Sequence, residues 1–98
     1  MQSALPIPKI IQKEQVSQLH FPQEDVLLSC EDNIARTIDL YYASNLGNLD
    51  RFKVKLIFED NKMQRLVETT IWAVTEKMVV LKKGVMIPIH RVHRVKFL

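Results

Sequence analysis

Apolar side chains recur every three or four positions from residue 26 to residue 42 and every second position from residue 52, and no single element satisfies both spacings. On the second side of that change, Phe52, Val54, Leu56 and Phe58 alternate with Lys53, Lys55, Ile57 and Glu59. A strand with one buried face reads this way, because successive side chains of an extended backbone point to opposite sides. Asp60-Asn61-Lys62 turns the chain, and Val67, Thr69, Ile71 and Ala73 then alternate with Leu66, Glu68, Thr70 and Trp72 as a second strand folding back on the first. After Thr75-Glu76-Lys77, residues 78–81 form a third strand, Lys82-Lys83-Gly84 a tight turn, and residues 85–89 a fourth strand. Ile89, Val92 and Val95 are three apart, which suits one 3₁₀ turn before a fifth strand at residues 94–98.

On the first side, Val26, Leu27, Cys30, Ile34, Ile38 and Tyr41 or Tyr42 follow the spacing of a helix buried on one face. Pro22 followed by Gln23-Glu24-Asp25 reads as its start, since proline suits the first turn and carboxylates there complement the macrodipole. Ser44-Asn45-Leu46-Gly47-Asn48 reads as its end, because Asn and Gly accept the left-handed conformation common past a helix C-terminus. A competing reading breaks the segment at Glu31-Asp32-Asn33 and leaves two short strands. Before residue 22 no period is sustained, and the reading is an extended arm with one helical turn between Lys13 and Leu19. The expected organisation is α+β: an N-terminal arm at residues 1–21, then one domain at residues 22–98. Within that domain the helical part covers residues 22–46 and a four- to five-stranded antiparallel meander covers residues 51–98.

The succession of strand, tight turn with Gly84, strand with Pro88, single 3₁₀ turn and strand resembles the closing half of SH3-like and Sm-like small barrels. The resemblance covers residues 52–98 and implies that the meander curls into such a barrel. The aromatic ligand-binding cluster of SH3 domains and the Asp and Asn nucleotide-pocket pattern of the Sm family have no counterpart here, so no residue inherits a role from either. The superfold hosts many unrelated functions.

The 98 residues suffice for one core. Apolar runs of only a few residues fall far short of the roughly 20 that cross a bilayer, and residues 1–8 lack the pattern of a signal peptide. The lone Cys30 has no partner for an internal disulfide, which agrees with a reducing, cytoplasmic compartment, and its expected place is that of a small buried hydrophobe. Charge is unevenly divided: residues 1–50 carry three Lys or Arg against seven Asp or Glu, net −4, while residues 51–98 carry eleven against four, net +7. From Lys77 onward there is no acidic residue.

Catalytic chemistry finds no motif: the two glycines make no phosphate loop, and the carboxylate pairs Glu59-Asp60 and Glu31-Asp32 fall at turns or on an exposed face. His90 and His93 lack the further ligands that a zinc site needs nearby in sequence. The expectation is therefore a non-enzymatic chain without metal or cofactor. Its leading role is that of an interaction or adaptor module, holding a protein partner or a second copy through Ile10 and Ile11 of the arm and through Tyr41 and Tyr42. Two adjacent tyrosines cannot both face inward on one element. The alternative is a small barrel binding RNA or single-stranded DNA, with Lys82, Lys83, Arg91, Arg94 and Lys96 on phosphates and an exposed aromatic such as Trp72 stacking on a base.

Overall fold

The computed structural model describes residues 7–98. It contains one α-helix and seven strands in two sheets. The first element among the described residues is β1 (Lys9–Ile10), which lies parallel to a later strand and is continued by the Ile11 amide donating to the Leu66 carbonyl at 2.9 Å. A 3₁₀ turn at Lys13–Gln18 follows and buries Val16. The arm is thus anchored in the core by Ile11 and Val16.

Helix α1 covers Cys30–Asp50, so the one-helix reading holds and the two-strand reading does not, but the face expected to be buried is turned outward: Ile34, Ile38, Tyr41 and Tyr42 are exposed, and Leu40, Ala43 and Gly47 meet the core instead. Its start lies eight residues beyond Pro22. Ser29 is the N-cap, its hydroxyl accepting from the Asp32 amide at 3.0 Å, and Glu31 and Asp32 occupy the first turn. Residues 22–28 are withheld from the helix because their backbone groups are engaged elsewhere: the Pro22 and Glu24 carbonyls accept from His90 and Arg91, and the Val26 amide donates to the His90 carbonyl. Cys30 is exposed rather than buried, since the helix begins with it.

The helix also outruns its expected end. It passes through Asn45, Gly47 and Asn48, and Arg51, not an Asn or Gly, takes the left-handed conformation (φ 58°). The Arg51 amide donates to the Gly47 carbonyl at 3.0 Å, closing the last turn. Gly47 serves closeness instead: a Cβ there would lie 2.3 Å from the Ile71 carbonyl oxygen.

The remaining strands are β2 (Val54–Glu59), β3 (Gln64–Thr69), β4 (Ile71–Val74), β5 (Met78–Leu81), β6 (Met86–Pro88) and β7 (Val92–Phe97). One sheet has the order β1-β3-β2-β7 and the other β4-β5-β6, with every pairing except β1 to β3 antiparallel. The second expected strand is two strands: it breaks at Thr70, whose carbonyl accepts from the Lys82 amide, and its halves belong to different sheets. Turn Lys82–Gly84 and the 3₁₀ turn Ile89–Arg91 stand where the spacing puts them. Neither sheet closes on itself.

Leu40 and Ala43 of α1 meet Val54, Leu56 and Phe58 of β2, Val67 of β3, Ile71 of β4, Val79 and Leu81 of β5, Ile87 of β6 and Val92 of β7 in a single core. Register explains the match: Leu56 stands opposite Val67 on one side and Val95 on the other. Burial of this set supplies the main drive to fold, at about 25 cal/mol per Å² of apolar surface.

In an ordinary helix interior, Gly to Ala gains about 1 kcal/mol. At Gly47 the sign reverses, because the obstructing atom is backbone and overpacking costs roughly 1–3 kcal/mol. Thermal denaturation of Gly47→Ala is expected to give a lower midpoint than the parent; an equal or higher one would mean that α1 and β4 separate without cost.

Candidate functional site

The five cations expected to line a phosphate surface do not stand together. Arg91 is buried, and its guanidinium is used internally: Nε donates to the Glu59 carbonyl at 3.0 Å, Nη1 to the Glu24 carbonyl at 2.7 Å and Nη2 to the Asp60 carbonyl at 3.4 Å. Its position in a 3₁₀ turn, between the 22–28 loop and the end of β2, turns it inward. Arg94 and Lys96 are exposed on β7, where Lys96 stands opposite Lys55. Lys82 and Lys83 are exposed in the turn after β5, in the other sheet.

A second buried guanidinium completes the attachment of the loop. Arg36 of α1 grips Asp25 through two parallel hydrogen bonds of 2.9 Å, donates to the Val92 carbonyl at 3.0 Å and bonds to Asn33 Oδ1. The Arg36 guanidinium beside Asp25 holds the carboxyl below its ordinary range, with burial opposing and the Leu27 amide assisting. At the β2–β3 turn, burial alone would raise Asp60, but the Met63 and Lys62 amides and Arg65 outweigh it, and the net direction is again downward. His90 Nε2 donates to the Pro22 carbonyl at 2.9 Å, and His93 Nε2 lies 2.7 Å from Glu59 Oε1. Each histidine is thus engaged separately, and among the described residues no three His, Cys, Asp or Glu side chains gather as a metal site.

Of the concavities beside the helix, two are lined by charged side chains. One, of about 670 Å³, lies where the loop meets β5 and β6, lined by Phe21, Pro22, Met78, Pro88 and His90 with Glu76 and Lys77 at the mouth. Its polar wall is the same Arg36 and His90 that hold the loop. The other, of about 470 Å³, lies at the C-terminal end of α1 and gathers Arg51, Lys53, Lys82 and Trp72 around Gly47, Asn48 and Thr70. Arg51 escaped notice in the sequence because it follows the helix, whereas Lys82 lies some thirty residues further on. Only the break at Thr70 and the close approach of Gly47 bring them together.

The residues proposed as an interface also divide. Ile10 is 73% exposed on β1, while Ile11 beside it is buried. Tyr41 and Tyr42 are both exposed, and Tyr42 lies 5.4 Å from the Phe97 ring. With Ile34, Ile38 and Leu49 they make an apolar outer face on α1.

The chain matches no protein-family model, and comparison with curated proteins and with solved structures gives no match.

Truncating Arg91 would deprive three buried or half-buried carbonyls of a donor, at roughly 1–3 kcal/mol for each one that water does not reach. Arg91→Ala is expected to lower the thermal midpoint by roughly 10 °C, at about 4–8 °C per kcal/mol for a domain of this size. A shift within error would mean that the loop is held without it. The depressed carboxyls set an acid limb. Their stabilisation is present above the unfolded value of about 4 and is lost as pH falls through the lower folded values. Melting curves recorded between about pH 5 and pH 2 should fall with acid, and Asp25→Asn should remove part of the slope. A slope unchanged in Asp25→Asn would exclude the Arg36 pair as a source.

Proposed function

We propose that this chain is a non-enzymatic interaction module that self-associates through the outer face of α1. One observation carries the reading: the helix is apolar on two opposite sides. Leu40, Ala43 and Gly47 bury the inner side. At 100° per residue, Ile34, Ile38, Tyr41, Tyr42 and Leu49 fall within about 50° of the opposite direction. Ile38 remains 61% exposed and Leu49 80% exposed. A helix covering only its own core needs one stripe.

The arrangement favours a second copy as the occupant. Read about the midpoint between Tyr41 and Tyr42, Ile34 corresponds to Leu49 and Tyr41 to Tyr42, while Ile38 corresponds to the uncharged Asn45. Two such helices packed antiparallel across a twofold axis bring Ile34 against Leu49 and Tyr41 against Tyr42 over about 24 Å, with Ile38 against Asn45 between them. No charged residue lies on this face between Ile34 and Leu49.

We read the two sheets as the halves of an SH3-like or Sm-like barrel, since residues 64–74 run through both and the 3₁₀ turn Ile89–Arg91 links β6 to β7. The single exposed thiol of Cys30 suits a reducing compartment, the cytoplasm.

Sedimentation equilibrium should give a mass twice the 11.5 kDa of one chain, and Ile38→Asp should return it to one chain without changing the circular dichroism spectrum. A parent protein of single-chain mass throughout a concentration series would discard self-association and leave this face to a different partner.

A further inference from the structure

We propose that the cleft at the C-terminal end of α1 binds a nucleotide unit, its base on Trp72 and its phosphate among Arg51, Lys53 and Lys82. None of these residues belongs to the apolar stripe, so the proposal stands independently of self-association.

The backbone aims Trp72 outward. In the pairing of β4 with β5, Ile71 stands opposite Leu81 and Ala73 opposite Val80, so Trp72 is the additional residue of a bulge. Bulges re-aim the side chain they carry. The indole is 45% exposed. An exposed ring beside a concavity offers a face on which any base can stack.

Charge around that ring is of one sign. Arg51, Lys53 and Lys82 line the cleft with no carboxylate among them, and none of the three takes part in an ion pair among the described residues. By contrast, Arg36, Arg65 and Arg91 each face a carboxylate. The end of α1 contributes about half a negative charge, and three cations exceed what is needed to balance it. The Leu46 and Gly47 carbonyls accept from the Phe52 and Arg51 amides. Arg51 offers a planar fork for phosphate oxygens, and the two lysines add point charge. A volume of about 470 Å³ admits one base with its sugar and phosphate.

The same chemistry is presented by a free nucleotide and by a single-stranded oligonucleotide. Trp72 is the only tryptophan, so its emission reports on the site directly. The full chain is titrated with a thymidine decanucleotide and, separately, with thymidine monophosphate. Quenching is expected with the decanucleotide alone if the source is nucleic acid, and with both at similar affinity if it is the free nucleotide. One phosphate neutralised on a single strand predicts a loss of roughly two- to threefold between about 50 and 200 mM salt. Lys53→Ala/Lys82→Ala should weaken binding about tenfold or more, and Trp72→Ala should do likewise when read by anisotropy of a labelled oligonucleotide. Arg94→Ala/Lys96→Ala, on the other sheet, should leave it unchanged. No quenching by either ligand at low salt, or equal weakening by the two paired-alanine variants, would overturn the site.

Discussion

Two buried guanidinium groups decide how residues 22–28 are attached to the rest of the chain. Arg36 reaches from the helix to Asp25 and to the Val92 carbonyl, and Arg91 reaches from the turn before β7 to the carbonyls of Glu24, Glu59 and Asp60. Between them they hold residues 22–28, a segment with neither helix nor strand to satisfy its own backbone. Desolvating such groups is costly, and their attraction often does little more than offset that cost. Their value is positional: an apolar contact would leave the loop free to slide, whereas a fork of fixed geometry accepts one arrangement. The position of the loop in turn sets where the helix starts, at Ser29, and so which of its faces meets the sheets.

From that starting point the helix acquires two roles on opposite sides. Inward, Leu40, Ala43 and Gly47 accept the sheets at close range, with β4 near enough to Gly47 to admit no side chain. Outward, the aromatic and aliphatic stripe is left uncovered, and at its C-terminal end the helix delivers Asn48 and Arg51 to the cleft beside Trp72. Both candidate surfaces therefore depend on one packing decision, the close approach of α1 to β4.

The strands were legible because pleating imposes a period that survives in the residue order, and the turns at Asp60, Thr75 and Lys82 carry residues suited to them. The break at Thr70 was not legible, since the inward set of Val67, Thr69 and Ile71 continues through it without interruption. Pro22-Gln23-Glu24-Asp25 has the chemistry of a helix start, but acceptors in that segment are claimed by side chains more than sixty residues away. Gly47 resembles a terminator and is a spacer, a distinction that depends on a strand the local sequence does not contain. The outward placement of a tyrosine was foreseeable from Tyr41-Tyr42 adjacency, while the arrival of Arg51 beside Lys53 and Lys82 is a product of topology. Arg91 was misjudged for a related reason: charge marks a side chain for the surface unless unpaired carbonyls await it inside.

The arm has a further consequence for how the β1-β3-β2-β7 sheet avoids stray strand pairing. β1 is only two residues long, yet it occupies the outer edge of β3, where an unpaired row of amides and carbonyls would otherwise recruit foreign strands. The opposite edge, β7, carries Arg94 and Lys96, whose charges discourage the same encounter. One border is thus closed by the chain's own leading segment and the other is guarded by repulsion. The first defence is also the more easily lost: clipping a few residues around Lys9 would uncover a ready template and turn a well-behaved domain into a seed for β-aggregation.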